Sequence, residues 1–343
     1  MSLTRIVILG AGTMGTNMAL DFARSGFEPQ VVEVDEEQRA RSREYARFGA
    51  RFLHLNGLAK DDPEKVVGRI AFLEHPVRVM RAFSEAQWIV EAVPEKLELK
   101  HKVLTEAEAV APEDAIVTSN TSSFLPSRIA GKLRRPERML VTHFWNPPHL
   151  LPLVEVVPHP GTAPEVVDAL LKVLVETGKH PILLRKEISG FIGNRLAFAL
   201  QREAMDLIAK GVASAEDIDA VAALGFGRRI PISGIFGTCD LGGLDVYAAI
   251  CDELFPGLCN DAAAPEKLKE LVAQGKLGVK TGAGWRVYSQ AEIEKLRHAL
   301  SEELVRHANR DHADHSRSKA AQHTMILRGP SSATLPKVEK RGQ

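Results

Sequence analysis

The sequence predicts an α/β protein in which a doubly wound, mostly parallel sheet precedes an all-helical second domain. From residue 3 to about 186, short β-rich runs alternate with helical patterns, and after Lys186 no convincing strand recurs. Several of the runs are continuously apolar, as expected for strands covered by helices on both faces. Alternation of this kind is the pattern of parallel strands joined by helical crossovers.

In chain order the runs are RIVILG (5–10), PQVVEVD (29–35), WIVEAV (88–93), AIVTSN (115–120), MLVTHFW (139–145), LVEVVP (153–158) and PILLRK (181–186). The first leads into a glycine motif and a helical pattern, TMGTNMALDFARSG. The segment 36–65 reads as helical, and Arg39, Arg43, Arg47 and Arg51 recur every four residues, along one helix face. Such a run is either a solvated face, the commoner case, or a ridge turned toward phosphate. The runs at 139–145 and 153–158 lie too close for a helical crossover and predict an antiparallel, hairpin-like addition to the sheet. Beyond Lys186, residues 188–211 carry apolar positions at helical spacing and end in Gly211, a plausible C-terminal cap. Shorter helical patterns follow at 214–224, 240–255, 265–275 and 290–308. The domains expected are therefore 1–186, 187–310, and a loosely ordered tail, 311–343, rich in His, Arg, Ser and Pro.

The 343 residues suffice for two domains with cores of their own. Forty-four basic residues balance forty-four acidic ones, so nothing global favours nucleic acid or a membrane surface as partner. Three cysteines, Cys239, Cys251 and Cys259, form no CxxC pair, which fits a reducing compartment and speaks against a disulfide framework or zinc site. In the tail, His312, His315 and His323 lack acidic or cysteine companions, so no metal site is expected. The apolar run at the N-terminus is too short for a signal peptide, and no stretch reaches membrane-helix length; a soluble, cytoplasmic protein is expected.

GAGTMG (10–15) is a GxGxxG element that follows a strand and opens a helix, with Asp35 at the end of the next strand. Gly10 permits the tight turn, Gly12 lets backbone approach a pyrophosphate, and Gly15 allows close helix–strand packing. Thr13 and Met14 complete the turn, whose N–H groups and positive dipole end would face the phosphates. Asp35 would accept hydrogen bonds from the adenosine ribose and repel a 2′-phosphate, favouring NAD over NADP. Glu33 is a competing carboxylate inside the strand. Together these parts predict a Rossmann-type dinucleotide site.

A nicotinamide ring that takes hydride from a carbinol carbon needs a base for the hydroxyl proton. His143 suits that role, and a carboxylate on its far ring nitrogen would fix the tautomer and stabilise the imidazolium. Glu155, on the adjoining strand, could be that carboxylate. Spacing alone leaves it equal that His143 caps a strand while Glu155 faces solvent. TSNTSS (118–123) leaves a strand at the end where doubly wound sheets bind ligands, and its hydroxyls could bond a substrate oxygen. GFIGNR (190–195) opens the second domain and would bring the amide of Asn194 toward an interdomain crevice.

These motifs, with VEAVPEKLELK, HFWNPPHLLPLVEVV and LGVKTGAGW (277–285), resemble the 3-hydroxyacyl-CoA dehydrogenase family in that family's order over about 280 residues. The resemblance implies that His143 is the base, that Glu155 orients it, and that Ser122 and Asn194 bond the substrate oxygen. It places Glu95, Lys100 and Asn120 among the cofactor contacts; without it, Glu95 would be a helix-start acid and Lys100 a solvated lysine. It also implies a homodimer through the helical domain.

The substrate is less legible. Fatty-acyl members carry a lysine-rich hairpin where this chain has the arginines of 36–65. NPPHLLPLVEVVPHPGTAPE (146–165) resembles a branch acting on small free acids such as gulonate, carnitine or pyridine carboxylates. DLGGLD (240–245) with LGVKTGAGW resembles the short-chain hydroxybutyryl-CoA branch. The first reading is NAD-dependent oxidation of a short-chain 3-hydroxyacyl-CoA, the alternative is oxidation of a small non-CoA hydroxy acid, and the third is a structural relative like the lens crystallins. Ser122, His143, Glu155 and Asn194 together argue against the last.

Overall fold

The apolar runs become strands β1 (Ile6–Leu9), β2 (Gln30–Val32), β3 (Ala71–Leu73), β4 (Trp88–Glu91), β5 (Ile116–Ser119), β6 (Met139–Phe144), β7 (Leu153–Pro158) and β8 (His180–Leu183). The structure, a computed structural model, describes residues 3–74 and 76–327, without the side chains of 76 and 312–327. One eight-stranded sheet results, in the order β3-β2-β1-β4-β5-β6-β7-β8. Strands β1 to β6 pair in parallel, β7 runs antiparallel to β6, and β8 is parallel to β7. The first six strands have the order of a dinucleotide-binding sheet, whose ligand crevice lies at the carboxyl ends of the strands.

Every residue of β1 and β4 is buried, which is why those runs are apolar without alternation. Helix α1 (Thr13–Arg24) covers one face. Its Phe22 meets Trp88 and Phe144 edge-on, with ring centroids 5.3 and 6.0 Å away. The Trp88 indole is satisfied inside the core by donating to Thr118 Oγ1 at 2.9 Å.

Strand β3 does not stand out in the sequence, because three residues are too few to show a period. Strand β2 stops at Val32, short of the expected 35, because Glu33 turns back to the glycine loop and Asp35 caps α2 (Glu36–Leu55) by accepting from Gln38 N at 2.8 Å. The arginine ridge on α2 is a solvated face at Arg43, Arg47 and Arg51 but not at Arg39. Arg39 is buried and donates to Glu33 O, Arg43 lies over the Phe72 ring, and Arg51 pairs with Glu64. The remaining helices of the sheet region are α3 (Pro63–Gly68), α4 (Pro76–Ser84), α5 (Leu97–Glu108), α6 (Pro126–Ala130) and α7 (Pro164–Glu176).

The chain divides into two compact units, residues 190–301 and the rest. The second holds α8 (Gly193–Ala209), α9 (Ala215–Leu224), α10 (Ile230–Gly242), α11 (Leu244–Leu254) and α12 (Glu266–Ala273), and no strand element. Gly243, at φ 88°, separates α10 from α11 inside the expected 240–255 pattern, and α10 itself kinks at Gly234. The Pro231, Gly234 and Gly237 of α10 hide its helical character from propensity. Within this unit only Phe191, Leu271 and Ile293 are buried.

The last helix, α13 (Gln290–Leu327), crosses the division at Ser301 and corrects two expectations. Residues from Glu302 rejoin the first unit: Ala308 belongs to its core, Leu304 and Val305 pack on it, and Asn309 donates to Asn56 O at 3.2 Å. The helix continues through Leu327 where a loose tail is expected, since no Gly or Pro interrupts 309–327. Residues 328–343 and the side chains of His312, His315 and His323 lie outside the described residues. No single helix among the described residues is long and apolar enough to cross a membrane; only α10 together with 244–257, bent by 97°, passes on length and composition.

Candidate active site

The glycine turn is built as its spacing requires. Gly10 has φ 100°, and a Cβ there would lie 2.9 Å from Ala92 O; one on Gly15 would lie 2.0 Å from Gly10 O. Neither position has room for a side chain. A Cβ on Gly12, by contrast, would meet nothing within 4 Å, so the backbone is open where a pyrophosphate would approach. Thr13 and Met14 form the first turn of α1, whose leading N–H groups have no partner within the helix. A shallow depression beside the turn is lined by Gly12, Thr13, Gln38 and Ser42. Gln38 Nε2 and Ser42 Oγ donate to Ala11 O at 2.7 and 2.6 Å, pinning the turn to α2. Glu33, not Asp35, holds the turn from the strand side, accepting from Ala11 N at 3.0 Å. Asp35 stays exposed at the start of α2, as a ribose acceptor must be. These residues fit a dinucleotide: they supply close backbone approach, helix-end donors and an exposed acid.

At the ends of β4 and β5 sits a polar cluster that the sequence shows only in part. Lys100 is buried, with Nζ 2.8 Å from Glu91 Oε1 and 3.1 Å from Glu95 Oε2. It is not the solvated lysine that residue type alone suggests. Glu91 is fully buried and also accepts from Ser119 Oγ and from Val93 N. Burial pushes its carboxyl above the usual range, and Lys100 opposes that rise. Burial also pushes Glu95 up, but hydrogen bonds from Thr121 and Ser123, with Lys100 beside it, hold it below its ordinary value. Glu91 escapes the sequence reading because one acid at the end of an apolar run looks like a strand terminus. Asn120 has a visible structural role, since its Oδ1 accepts from Phe144 N at 2.8 Å and ties β5 to β6.

Strands β6 and β7 settle the ambiguity of spacing. Their antiparallel register sets His143 directly opposite Glu155. His143 Nδ1 lies 2.8 Å from Glu155 Oε2, and Nε2 lies 3.1 Å from Ser122 Oγ. Both His143 and Glu155 are buried, at 5% and 2% exposure, so the carboxylate does not face solvent. A buried hydroxyl–imidazole–carboxylate line is equipped to receive a proton at Nε2 and stabilise the resulting charge. Trp145 also reaches this carboxylate, with Nε1 3.2 Å from Glu155 Oε2. Asn194 belongs to the other unit, where it is the second residue of α8 and partly exposed.

A cavity of about 790 Å³ lies elsewhere in the first unit, lined by residues such as Arg24, His149 and Lys179. None of the residues of the glycine turn, the Lys100 cluster or the His143 line borders it. Chemistry, not cavity size, identifies the site. Among the described residues no cluster of His, Cys, Asp or Glu could hold a metal ion.

The NAD-binding domain of 3-hydroxyacyl-CoA dehydrogenase matches residues 5–188, and that family's C-terminal domain matches 190–288. The chain belongs to the 3-hydroxyacyl-CoA dehydrogenase family. Membership makes it an NAD-dependent oxidoreductase of the kind acting on CH–OH groups. Among the relatives, the 5-formyl-3-hydroxy-2-methylpyridine 4-carboxylate 5-dehydrogenase of Mesorhizobium japonicum is 33% identical, over 88% of this chain and 96% of that protein. The human lambda-crystallin homolog is 32% identical, over 74% of this chain and 79% of that protein. Among solved structures, a 5-formyl-3-hydroxy-2-methylpyridine 4-carboxylic acid 5-dehydrogenase superposes with a TM-score of 0.82 at 31% identity, covering 88% of this chain and 96% of that one. The 3-hydroxybutyryl-CoA dehydrogenase of Escherichia coli gives 0.70 at 29% identity, covering 84% and 60%.

Proposed function

We propose that this dehydrogenase oxidises a secondary or primary alcohol of a small, free carboxylic acid, with His143 as general base, Glu155 orienting it and Ser122 bonding the reacting oxygen. The observation that carries the chemistry is the Ser122–His143–Glu155 line at 3.1 and 2.8 Å. NAD, when bound at the glycine turn, supplies the hydride acceptor. His143 Nε2 takes the hydroxyl proton as the hydride leaves, and Glu155 balances the imidazolium. General-base action of this kind contributes on the order of a hundred- to ten-thousandfold in rate.

For the substrate, the free acid is read ahead of the CoA thioester, because Arg39 is buried against Glu33 O and Glu74 and leaves Arg43, Arg47 and Arg51 as the arginines on the exposed face of α2. The similarity to a pyridine-carboxylate dehydrogenase along nearly the whole chain supports the same reading. The CoA reading keeps one observation of its own: a Gibberella moniliformis 3-hydroxyacyl-CoA dehydrogenase is 35% identical over 69% of this chain. The test is NADH oxidation with acetoacetyl-CoA against a panel of free keto acids and carbonyl-bearing acids, using wild type and His143→Ala. Turnover of a free acid, abolished in His143→Ala with NADH binding intact, is expected. Turnover of acetoacetyl-CoA alone would return the substrate to a thioester, and near-normal turnover by His143→Ala would remove the base.

The acting species is proposed to be a homodimer formed through the helical unit. Helices α8 to α11 bury no residue, and Phe236, Ile232 and Leu241 are 81, 86 and 84% exposed. A helical unit with so little core of its own needs another apolar surface against it. A second copy of the chain carries such a surface. Light scattering should give a dimer in wild type and a monomer in Phe236→Glu; a wild-type monomer at micromolar concentration would count against the dimer.

A further inference from the structure

We infer that Trp145 is a positioning residue for the catalytic pair, fixing which nitrogen of His143 carries the proton. The inference rests on the acid/base reading above and extends it to a side chain whose hydrogen bond goes to the orienting carboxylate. Glu155 Oε2 lies 2.8 Å from His143 Nδ1 and 3.2 Å from Trp145 Nε1. A carboxyl group as deeply buried as Glu155 can hold a proton, and its contact with an imidazole is then ambiguous, because a protonated carboxyl can also donate. An indole N–H is not ambiguous: it donates and never accepts. With Trp145 donating into Oε2, that oxygen is committed as an acceptor and is a poor place for a proton. The contact with His143 must then run from Nδ1–H to Oε2, which leaves the Nε2 lone pair facing Ser122 Oγ at 3.1 Å. That is the tautomer a base at Nε2 requires.

The geometry also limits motion. Glu155 is 2% exposed, and two donors on one of its oxygens fix the carboxylate plane. The indole itself lies beside the imidazole, with ring centroids 5.7 Å apart and planes inclined by 57°. Trp145 follows β6 directly, so the strand that carries the base also carries the donor that orients its partner.

Trp145→Phe removes the N–H and keeps a ring beside His143. Turnover should fall about tenfold, the size of one charge-assisted hydrogen bond acting on the transition state, while the Kd for NADH stays within about twofold. Because Trp145 acts through Glu155, the same change made in a Glu155→Gln background should have almost no further effect. A substrate-free measurement decides the matter even if the variants fold poorly: ¹⁵N NMR of His143 in the wild-type protein above neutral pH. The Nδ1–H tautomer is expected, with a smaller share of it in Trp145→Phe. An Nε2–H tautomer in wild type would overturn the inference, as would a full tenfold loss from Trp145→Phe on top of Glu155→Gln. If no keto acid turns over, the substrate reading fails while the tautomer measurement still tests Trp145.

Discussion

His149, in the loop between β6 and β7, should make the protein acid-labile before its carboxylates titrate. The residue is 7% exposed, and its buried Nδ1 has no hydrogen-bond partner. Burial holds its pKa down at about 4, helped by the cations of Arg24 and Lys179 and opposed by Asp21. In the unfolded chain the ring returns to its ordinary value of 6.5. Between those values the unfolded state binds the extra proton, so stability is fully present above 6.5 and is lost as pH falls toward 4. Weighing the two protonation equilibria from pH 7 to pH 5 gives a loss of about 2 kcal/mol from this one group. Urea unfolding of wild type and His149→Gln at both pH values isolates it, because glutamine keeps a polar side chain that does not titrate. The variant's loss between pH 7 and pH 5 should be smaller than wild type's by about 2 kcal/mol. Equal losses in the two proteins would mean that His149 reaches solvent or protonates in place, and the argument from burial would fall.

Three further outcomes follow from other contacts. Gly15→Ala drives a Cβ to within 2.0 Å of Gly10 O, so the glycine turn must shift; at the upper end of overpacking, about 3 kcal/mol, NADH should bind roughly a hundredfold more weakly by fluorescence titration. Lys179→Met leaves Asp21 buried with Arg24 as its remaining cation, and should lower the melting temperature by about 10 °C, whereas the joint Asp21→Leu/Lys179→Met change should regain most of that. Asp35→Ser keeps a cap acceptor for Gln38 N and removes the charge beside the expected ribose site; steady-state kinetics should show the preference for NADH over NADPH shrinking roughly tenfold.

Much of the site is legible because its residues are polar where the pattern is apolar. His143 and Glu155 interrupt a hairpin that otherwise reads as core, and the short interval between runs already forces antiparallel pairing. What spacing cannot supply is register, and register decides whether the two side chains meet. Lys100 shows the opposite limit: a lysine two turns from a strand end looks solvated until Glu91 is seen to be buried beneath it. Trp145 is invisible for a related reason, since its part depends on where one N–H points. In the helical unit, Gly243 splits the expected 240–255 pattern between two helices, and Pro231, Gly234 and Gly237 hide the start of the first of them. The C-terminal helix is misjudged because composition rich in His, Arg and Ser resembles a tail, although the lack of Gly and Pro from 309 to 327 is the stronger signal.

Register is therefore the quantity the fold must protect, and the means lie away from the chemistry. A slip of one residue between β6 and β7 would carry Glu155 to the other face of the sheet and leave His143 without its carboxylate. The loop joining the strands, 145–152, is held by the Lys179 ammonium, which donates to Pro148 O and lies 3.4 Å from Leu151 O. The same ammonium is 2.6 Å from Asp21 on α1, the helix that opens at the dinucleotide turn. Phe144, next to His143, packs on Phe22 of that helix, and its N–H is taken by Asn120 at the end of β5. Three contacts thus fix the β6–β7 hairpin to α1 and to β5. A buried ion pair is a weak stabiliser, since apolar residues of similar volume often do as well. Its donors and acceptors are directional, however, and only a directional contact can hold two loop carbonyls in place. That distinction explains why a lysine is found there: the hairpin that carries His143 and Glu155 is aligned with α1 and not merely packed on it.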